Sequence, residues 1–239
     1  MTRRQRVVGI IGGMGPLATA DLIAKITLHT PVVREQDHLR LLVDSNPAIP
    51  DRNDAVWGSG TSPAPALVES ARLLERSGAE LLVIACNTAH HWVDEVAGAV
   101  SIPVISMVDV TVGAAAAHGP ARVGVMAITA CLATSMYQDR LAAAGIASLT
   151  LDDADQDAFT RTIAGIKATG LTDAHRASMA RHAGRLVDAG AELLIAGCTE
   201  IPIVLGEADL RVPVISSTDE LARAAVAAAR HAPVTIRQA

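Results

Sequence analysis

Cys86 and Cys198 end two copies of one motif. Residues 78–88 read GAELLVIACNT and residues 190–199 read GAELLIAGCT; aligned on Gly78 and Gly190, the first cysteine falls on the second. Two reduced thiols on opposite sides of a small pocket suit proton exchange at a carbon. One takes a proton from the carbon while the other returns a proton to the opposite face, with roles that reverse with the handedness of the substrate. Each cysteine is expected just before a helix or helical turn, where unpaired backbone N–H groups and the positive helix end lower a thiol pKa from roughly 8.5. A carbon acid flanked by a carboxylate also needs donors for the charge that develops on it, and Asn87, Thr88 and Thr199 are placed to supply them. Glu200, directly after the second Cys-Thr, reads as a first-turn helix residue that also touches the site.

Other chemistries fit less well. Neither cysteine has a CxxC neighbour for redox work, and Cys86, Cys198 and His90 or His91 lack the second close ligand pair that a zinc site would show. Cys131, at a helix start, has no matching partner and reads as packing or surface. Gly13-Met14-Gly15-Pro16-Leu17-Ala18 fits a GxGxxA dinucleotide turn, but Glu35 and Asp37 precede the second strand and Asp44 comes late for a ribose-binding acid. The same glycines, Gly15 among them, serve equally as backbone donors for a carboxylate. Arg52, in a proline-shaped loop, and Lys167, near a helix end, are candidate carboxylate clamps, the first bidentate and the second a point charge. One of His90 and His91 is a candidate to orient a residue or substrate.

These residues must be positioned by alternating strands and helices. Strands are expected at 6–12, 39–45, 80–85 and 102–106, and again at 122–127, 146–150, 192–196 and 212–216. Between them helices are expected from Pro16 to about 26, with Leu17, Ala20, Ile23, Ala24 and Leu28 on one face, and over 64–77, 88–98, 131–143, 154–168 and 172–189. A further turn follows residue 200 and a last helix covers 218–230. The connection NPAIPDRNDAVWGSG at 46–60 is long enough to be a functional lid. Near-continuous Val, Ile and Leu strands alternating with helices imply parallel sheets covered on both faces. The expected fold is α/β: two pseudo-symmetric lobes, 1–112 plus 217–239 carrying Cys86 and 113–216 carrying Cys198, with the active site in the cleft between them. Ligands of such sheets collect beyond the carboxyl ends of the strands, where both cysteines stand.

Half of the 239 residues are apolar, which supplies a substantial core, but only 2% are aromatic. A net charge of -5 with interspersed signs gives a nucleic-acid backbone nothing to bind, and Arg3, Arg4 and Arg6 read as a solvated end. The run at 7–11 breaks into glycines, unlike a signal peptide, and no segment reaches membrane-spanning length. Three cysteines without an export signal suggest reduced thiols in a cytoplasm.

The chain resembles the cofactor-independent aspartate/glutamate racemases, most closely their aspartate racemase branch. The likeness runs through GGMGPLATADLIAKI at 12–26, DSNPAIPDR at 44–52, ACNTAH at 85–90, Tyr137-Gln138, GIKATG at 165–170 and GCTEIP at 197–202. It implies two α/β lobes, no pyridoxal phosphate, metal or nucleotide, and proton exchange at Cα by Cys86 and Cys198. It also assigns the substrate carboxylates to Arg52 and Lys167, and the pocket lining to Met14 with its neighbouring amides and to Asn87, Thr88 and Thr199. Asn46 and His90, within the matching segments, are further candidates, and a homodimer is expected because many members are dimers. The chain departs from the family pattern at Ala85, at Ala130-Cys131 and at Ser216, where Pro, Gly-Thr and Asp are usual.

The leading expectation is interconversion of L- and D-aspartate. Glutamate or broader specificity, a maleate-isomerase-like enzyme and a catalytically silent amino-acid binding protein are alternatives. Retention of both cysteines argues against a single-cysteine decarboxylase, and a nucleotide-dependent oxidoreductase is the remaining choice.

Overall fold

A computed structural model of the chain describes residues 5–205 and 210–230. Arg3, Arg4 and the segment 231–239 of the expected first lobe lie outside the described residues. The chain divides into two compact units, Met1–Val110 with Thr218–Ala239, and Thr111–Ser217.

The first unit runs β1 (Val8–Gly12), α1 (Pro16–His29), β2 (Leu41–Ser45), α2 (Arg52–Val56), α3 (Ala64–Arg76), β3 (Leu81–Ile84), α4 (Val93–Ala97), β4 (Val104–Ile105) and the start of α5 (Met107–Ala117). In the second unit come β5 (Arg122–Met126), α6 (Thr129–Ala133), α7 (Met136–Ala143), β6 (Ala147–Leu149), α8 (Asp153–Thr169), α9 (Asp173–Asp188), β7 (Leu193–Ala196), α10 (Ile201–Val204) and β8 (Val214–Ser216), after which α11 (Ser217–Arg230) rejoins the first. Each unit holds one four-stranded parallel sheet, in the orders β2-β1-β3-β4 and β6-β5-β7-β8. The two sheets therefore share one topology.

The repeat extends to single hydrogen bonds. Gly78 and Gly190 turn out of α3 and α9 with φ of 97° and 96°, a conformation that disfavours a Cβ. The next residues, Ala79 and Ala191, each donate 3.0 Å back to Leu74 and Leu186. Beyond the ends of β3 and β7, Ala85 N donates to Ile11 O at 2.9 Å and Gly197 N to Met126 O at 2.8 Å. These two bonds fix the backbone one residue before each cysteine. Gly9 and Gly124 recur in the same way, since a Cβ on either would lie 2.5 Å from the Cδ2 of Leu82 or Leu194. The leucine of the neighbouring strand can lie this close only over glycine.

In the first unit the sheet alternates cleanly. Leu81, Val83 and Ala85 pack with Leu22 and Ile26 of α1 and with Leu221, Ala222 and Ala225 of α11. Leu82, Ile84 and Cys86 pack on the other side, with Leu67, Ala71 and Leu74 of α3 and Val96 of α4. Period-two alternation thus sends Cys86 to the α3 side. The return of α11 is also fixed by charge: Lys25 Nζ is 2.8 Å from Asp21 and 2.9 Å from Asp219 and donates to Thr218 at 2.7 Å.

Several local expectations need correction. The buried face of α1 is Ala18, Thr19, Leu22 and Ile26, whereas Leu17 and Leu28 are 70% and 82% exposed. Apolar residues occur on both sides of this helix, and the i, i+4 row of Ala18, Leu22 and Ile26 meets the sheet. On α3 the buried face is Ala64, Leu67, Ser70, Ala71 and Leu74, and Leu73 is exposed. The 46–60 connection contains α2, capped by Asp51, whose side chain accepts from Asn53 N and Asp54 N. The segment expected as one helix over 88–98 is a 3-10 turn, Thr88–Trp92, followed by α4. The helix expected over 131–143 breaks between α6 and α7 at Ser135, which has φ 56°. No helix was expected where α5 stands.

One buried group makes stability depend on pH. His182 on α9 is 1% exposed and its ring meets Phe159 edge-on. Burial, the largest influence, holds its pKa below the usual 6.5; Asp155 and a hydrogen bond to the Ser178 backbone oppose this, and Arg181 and Arg185 reinforce it. With the folded value depressed, the unfolded chain takes up the proton first as pH falls through about 6.5, and folding free energy is lost from there down to the folded pKa. Urea unfolding followed between pH 7.5 and 5 is expected to show this loss in the native chain and a shallower loss in His182→Gln.

Candidate active site

Each unit presents one thiol beyond the carboxyl end of its third strand. Cys86 is 6% exposed and shares a cluster with Met14, Ile49, Ala89 and Trp92. Asn87 and Thr88, which follow it, are buried as well. His90 is committed to the scaffold. Met107 N donates to its Nε2 at 3.0 Å, which leaves the ring proton on Nδ1, and Nδ1 donates to Cys86 O at 2.8 Å. The ring therefore ties the cysteine's own backbone to the start of α5, an orienting role toward Cys86 that its side chain fills while buried. His91 is exposed and its ring meets Trp92 edge-on.

The glycine turn is shaped from within. Gly13 N donates to Thr19 Oγ1 at 2.9 Å and that hydroxyl donates to Gly15 O at 3.0 Å, so the Gly13 amide is already satisfied. Gly13 has φ 91° and any Cβ there would enter the backbone of Asn46. Asn46 in turn donates its amide to Gly12 O and accepts from Ala48 N on its side chain, which folds the start of the NPAIPDR loop. Met14 is buried and Gly15 caps α1 ahead of Pro16. Asp44, in β2, accepts a 2.5 Å hydrogen bond from Ser70 Oγ of α3.

Arg52 opens α2 and folds back on its own loop. Nη1 donates to Ile49 O at 3.2 Å and Pro50 O at 3.0 Å, while Nε is buried without a hydrogen-bond partner. The guanidinium thus both closes the proline loop and keeps an unsatisfied N–H. A buried, unanswered donor on a cation is costly unless an anion completes it.

The second unit assembles four of the anticipated residues. Cys198 Sγ donates to Glu200 Oε2 at 3.0 Å, and Thr199 Oγ1 donates to the same oxygen at 3.1 Å. Glu200 Oε1 lies 3.6 Å from Lys167 Nζ at the end of α8. Cys198, Thr199 and Glu200 are 6%, 3% and 5% exposed. The expectation of a lowered thiol pKa fails here. Burial pushes Cys198 well above the usual thiol range, the Glu200 carboxylate raises it further, and the Lys167 ammonium offsets part of this. α10 has only four residues and begins beyond Glu200, so its end cannot outweigh a carboxylate in contact with the sulfur.

Sequence reading gave Tyr137 no role, yet it lies close to this thiol. It is 1% exposed, its hydroxyl is hydrogen-bonded to Thr111 and Ser217, and it feels both Cys131 and Cys198. Burial above all keeps it a neutral phenol. Ser217 Oγ also donates to Ala196 O at 2.8 Å, at the end of β7. The missed signal was the isolated aromatic itself, because a chain with one tyrosine that buries it must satisfy its hydroxyl. Among the described residues no three His, Cys, Asp or Glu side chains gather closely enough to hold a metal ion, and no helix is long and apolar enough to cross a membrane.

The family model for Asp/Glu/hydantoin racemase matches residues 11–225. The chain belongs to that family. It is accordingly an amino-acid racemase, an isomerase. It is 31% identical to an aspartate racemase from Picrophilus torridus, with a TM-score of 0.85 and 94% of each chain covered. It is 24% identical to the broad specificity amino-acid racemase RacX of Bacillus subtilis over 92% of this chain and 96% of that one. A glutamate racemase from Parafrankia is 33% identical over 63% of this chain and 55% of its own. The pair of matched sheets is the fold of these racemase structures.

Proposed function

We propose that this racemase interconverts L- and D-aspartate without a cofactor, Cys86 and Cys198 serving as the two acid–base groups on opposite faces of the α-carbon. One observation carries the reading: each unit delivers a buried thiol at the same step beyond its third strand, anchored by the same backbone hydrogen bond at Ala85 or Gly197. In one direction the Cys86 thiolate takes the α-proton while the Cys198 thiol gives its proton to the carbanion from the other side. The thiols then stand in exchanged protonation states, and proton exchange with water resets them. Asn87, Thr88 and Thr199 donate to the carboxylate as it gains enolate character. Arg52 holds one substrate carboxylate through its unanswered N–H edge, and Lys167 attracts the other. Free cysteines suit a cytoplasmic setting.

Aspartate is favoured by the 31% identity with an aspartate racemase over 94% of both chains. Broad specificity is the second reading, because Lys167 is already drawn to Glu200 and the RacX likeness covers nearly all of both proteins. Incubation of the reduced protein in D2O with each enantiomer of aspartate and glutamate, and with neutral amino acids, separates them. Deuterium at Cα together with the opposite enantiomer for aspartate alone is the expected result. Equal turnover of neutral amino acids selects the second reading, and no exchange with any substrate defeats both.

A further inference from the structure

The two copies of the motif differ at one position that touches a sulfur. Two residues after Cys86 the chain has Thr88, and two residues after Cys198 it has Glu200. Only the second cysteine therefore has a carboxylate built into its motif. Both oxygens of that carboxylate are engaged, Oε2 by Cys198 Sγ at 3.0 Å and Thr199 Oγ1 at 3.1 Å, Oε1 by Lys167 Nζ at 3.6 Å. A thiol is a weak donor, and a hydrogen bond to a carboxylate inside the protein binds its proton far more firmly than water would.

We infer that Glu200 is a positioning residue that makes the pair asymmetric, holding Cys198 as the resting proton donor, with Lys167 as the counter-charge that sets how firmly. The inference rests on the two-base reading and adds a direction to it: the free enzyme has Cys198 as the thiol. It is ready for the enantiomer whose α-proton faces Cys86. For the other enantiomer Cys198 must first lose its proton, and Glu200 is the group in contact to accept it. There the S–H bond breaks, an O–H bond forms on Oε2, and the sulfur keeps the electron pair as thiolate. Lys167 then no longer faces a full negative charge on Glu200, so the negative charge has moved to sulfur within the same cluster. Glu200 serves as a proton partner to Cys198 in place of a substrate ligand.

Because an equilibrium constant near one ties the two directions together in kcat/KM, the test reads the sulfur directly. Iodoacetamide labelling of the reduced full chain is followed against pH, with Cys86, Cys131 and Cys198 separated by peptide mass. In Glu200→Gln the amide keeps an acceptor but not the charge, and Cys198 labelling at pH 7.5 is expected to rise about tenfold, its pH midpoint moving down. Lys167→Met is expected to move Cys198 the opposite way, and Glu200→Asp to restore slow labelling. Cys86 serves as the internal reference and Cys131, 1% exposed, reports intact packing by staying unlabelled. Unchanged or slower Cys198 labelling in Glu200→Gln, or shifts of the same sign in the Gln and Met variants, overturns the inference. Opposite shifts without any α-proton exchange would uphold the asymmetry and defeat the two-base reading instead.

Discussion

Cys86→Ala and Cys198→Ala are each expected to lower kcat/KM for racemisation by at least about a thousandfold, since positioned acid–base groups contribute in that range and inversion needs both of them. The loss should not be symmetric in every assay. A protein that keeps one thiol can still remove and return the α-proton on one face, so each variant should exchange deuterium into one enantiomer without inverting it. Cys86→Ala leaves Cys198 and Cys198→Ala leaves Cys86, so the two variants must wash out opposite enantiomers. Proton NMR in D2O, followed by chiral chromatography, reads both quantities from one sample. Both cysteines are 6% exposed, so truncation to Ala leaves a small gap and the folded population should persist. Inversion by either single variant, or exchange of the same enantiomer by both, would mean that the thiols do not stand on opposite faces.

The same experiment bears on Glu200. In Cys86→Ala the surviving base is the one whose proton Glu200 holds, at 3.0 Å. Exchange by that variant should therefore be the slower of the two and should gain more with rising pH. Cys198→Ala keeps a thiol whose motif has Thr88 in the matching place.

What the sequence disclosed was set by long-range regularity. The motif from Gly78 to Cys86 is copied from Gly190 to Cys198 because each copy solves one problem, a left-handed exit from a helix, a buried strand and a thiol beyond its end. Matching φ angles of 97° and 96° and one shared sheet order follow from that. The α5 segment escaped notice because MVDVTVGAAAA is rich in β-branched residues and follows a strand without a break, so it lacks the one-sided apolar pattern of a surface helix. On α1 both faces carry apolar residues, and no rule of spacing chooses between Leu17 with Leu28 and Leu22 with Ile26; the sheet chooses. The break at Ser135 depends on a positive φ that serine rarely adopts. Contacts within the site were the least legible part. His90 lies four residues beyond the carbonyl it binds, and whether it faces substrate or scaffold depends on Met107, which arrives from a different element. The raised Cys198 pKa arises from burial first and the Glu200 carboxylate second, with Lys167 from another element offsetting part of it, and against these a helix end of four residues counts for little.

Arg52 should show two separable defects. Its Nη1 hydrogen bonds to Ile49 O and Pro50 O shape the loop, while its buried Nε lacks a partner and is the edge a carboxylate would complete. Lysine can reach a loop carbonyl or a substrate oxygen but cannot offer a planar fork to both. Arg52→Lys is therefore expected to raise KM for aspartate by about ten- to a hundredfold, the loss of one charge-assisted bond of roughly 1.5–3 kcal/mol, with little change in folding stability. Arg52→Met removes the loop bonds as well, and urea unfolding should show a further loss of about 1 kcal/mol. If the guanidinium only staples the loop, the order reverses: Arg52→Met lowers stability and leaves KM for aspartate where it was, and the substrate carboxylate must be held by another group. Initial rates with aspartate and with a neutral amino acid complete the comparison. A clamp on the α-carboxylate weakens both substrates alike, whereas a clamp on the side-chain carboxylate weakens aspartate alone, and that difference would assign Arg52 and Lys167 to the two ends of the substrate.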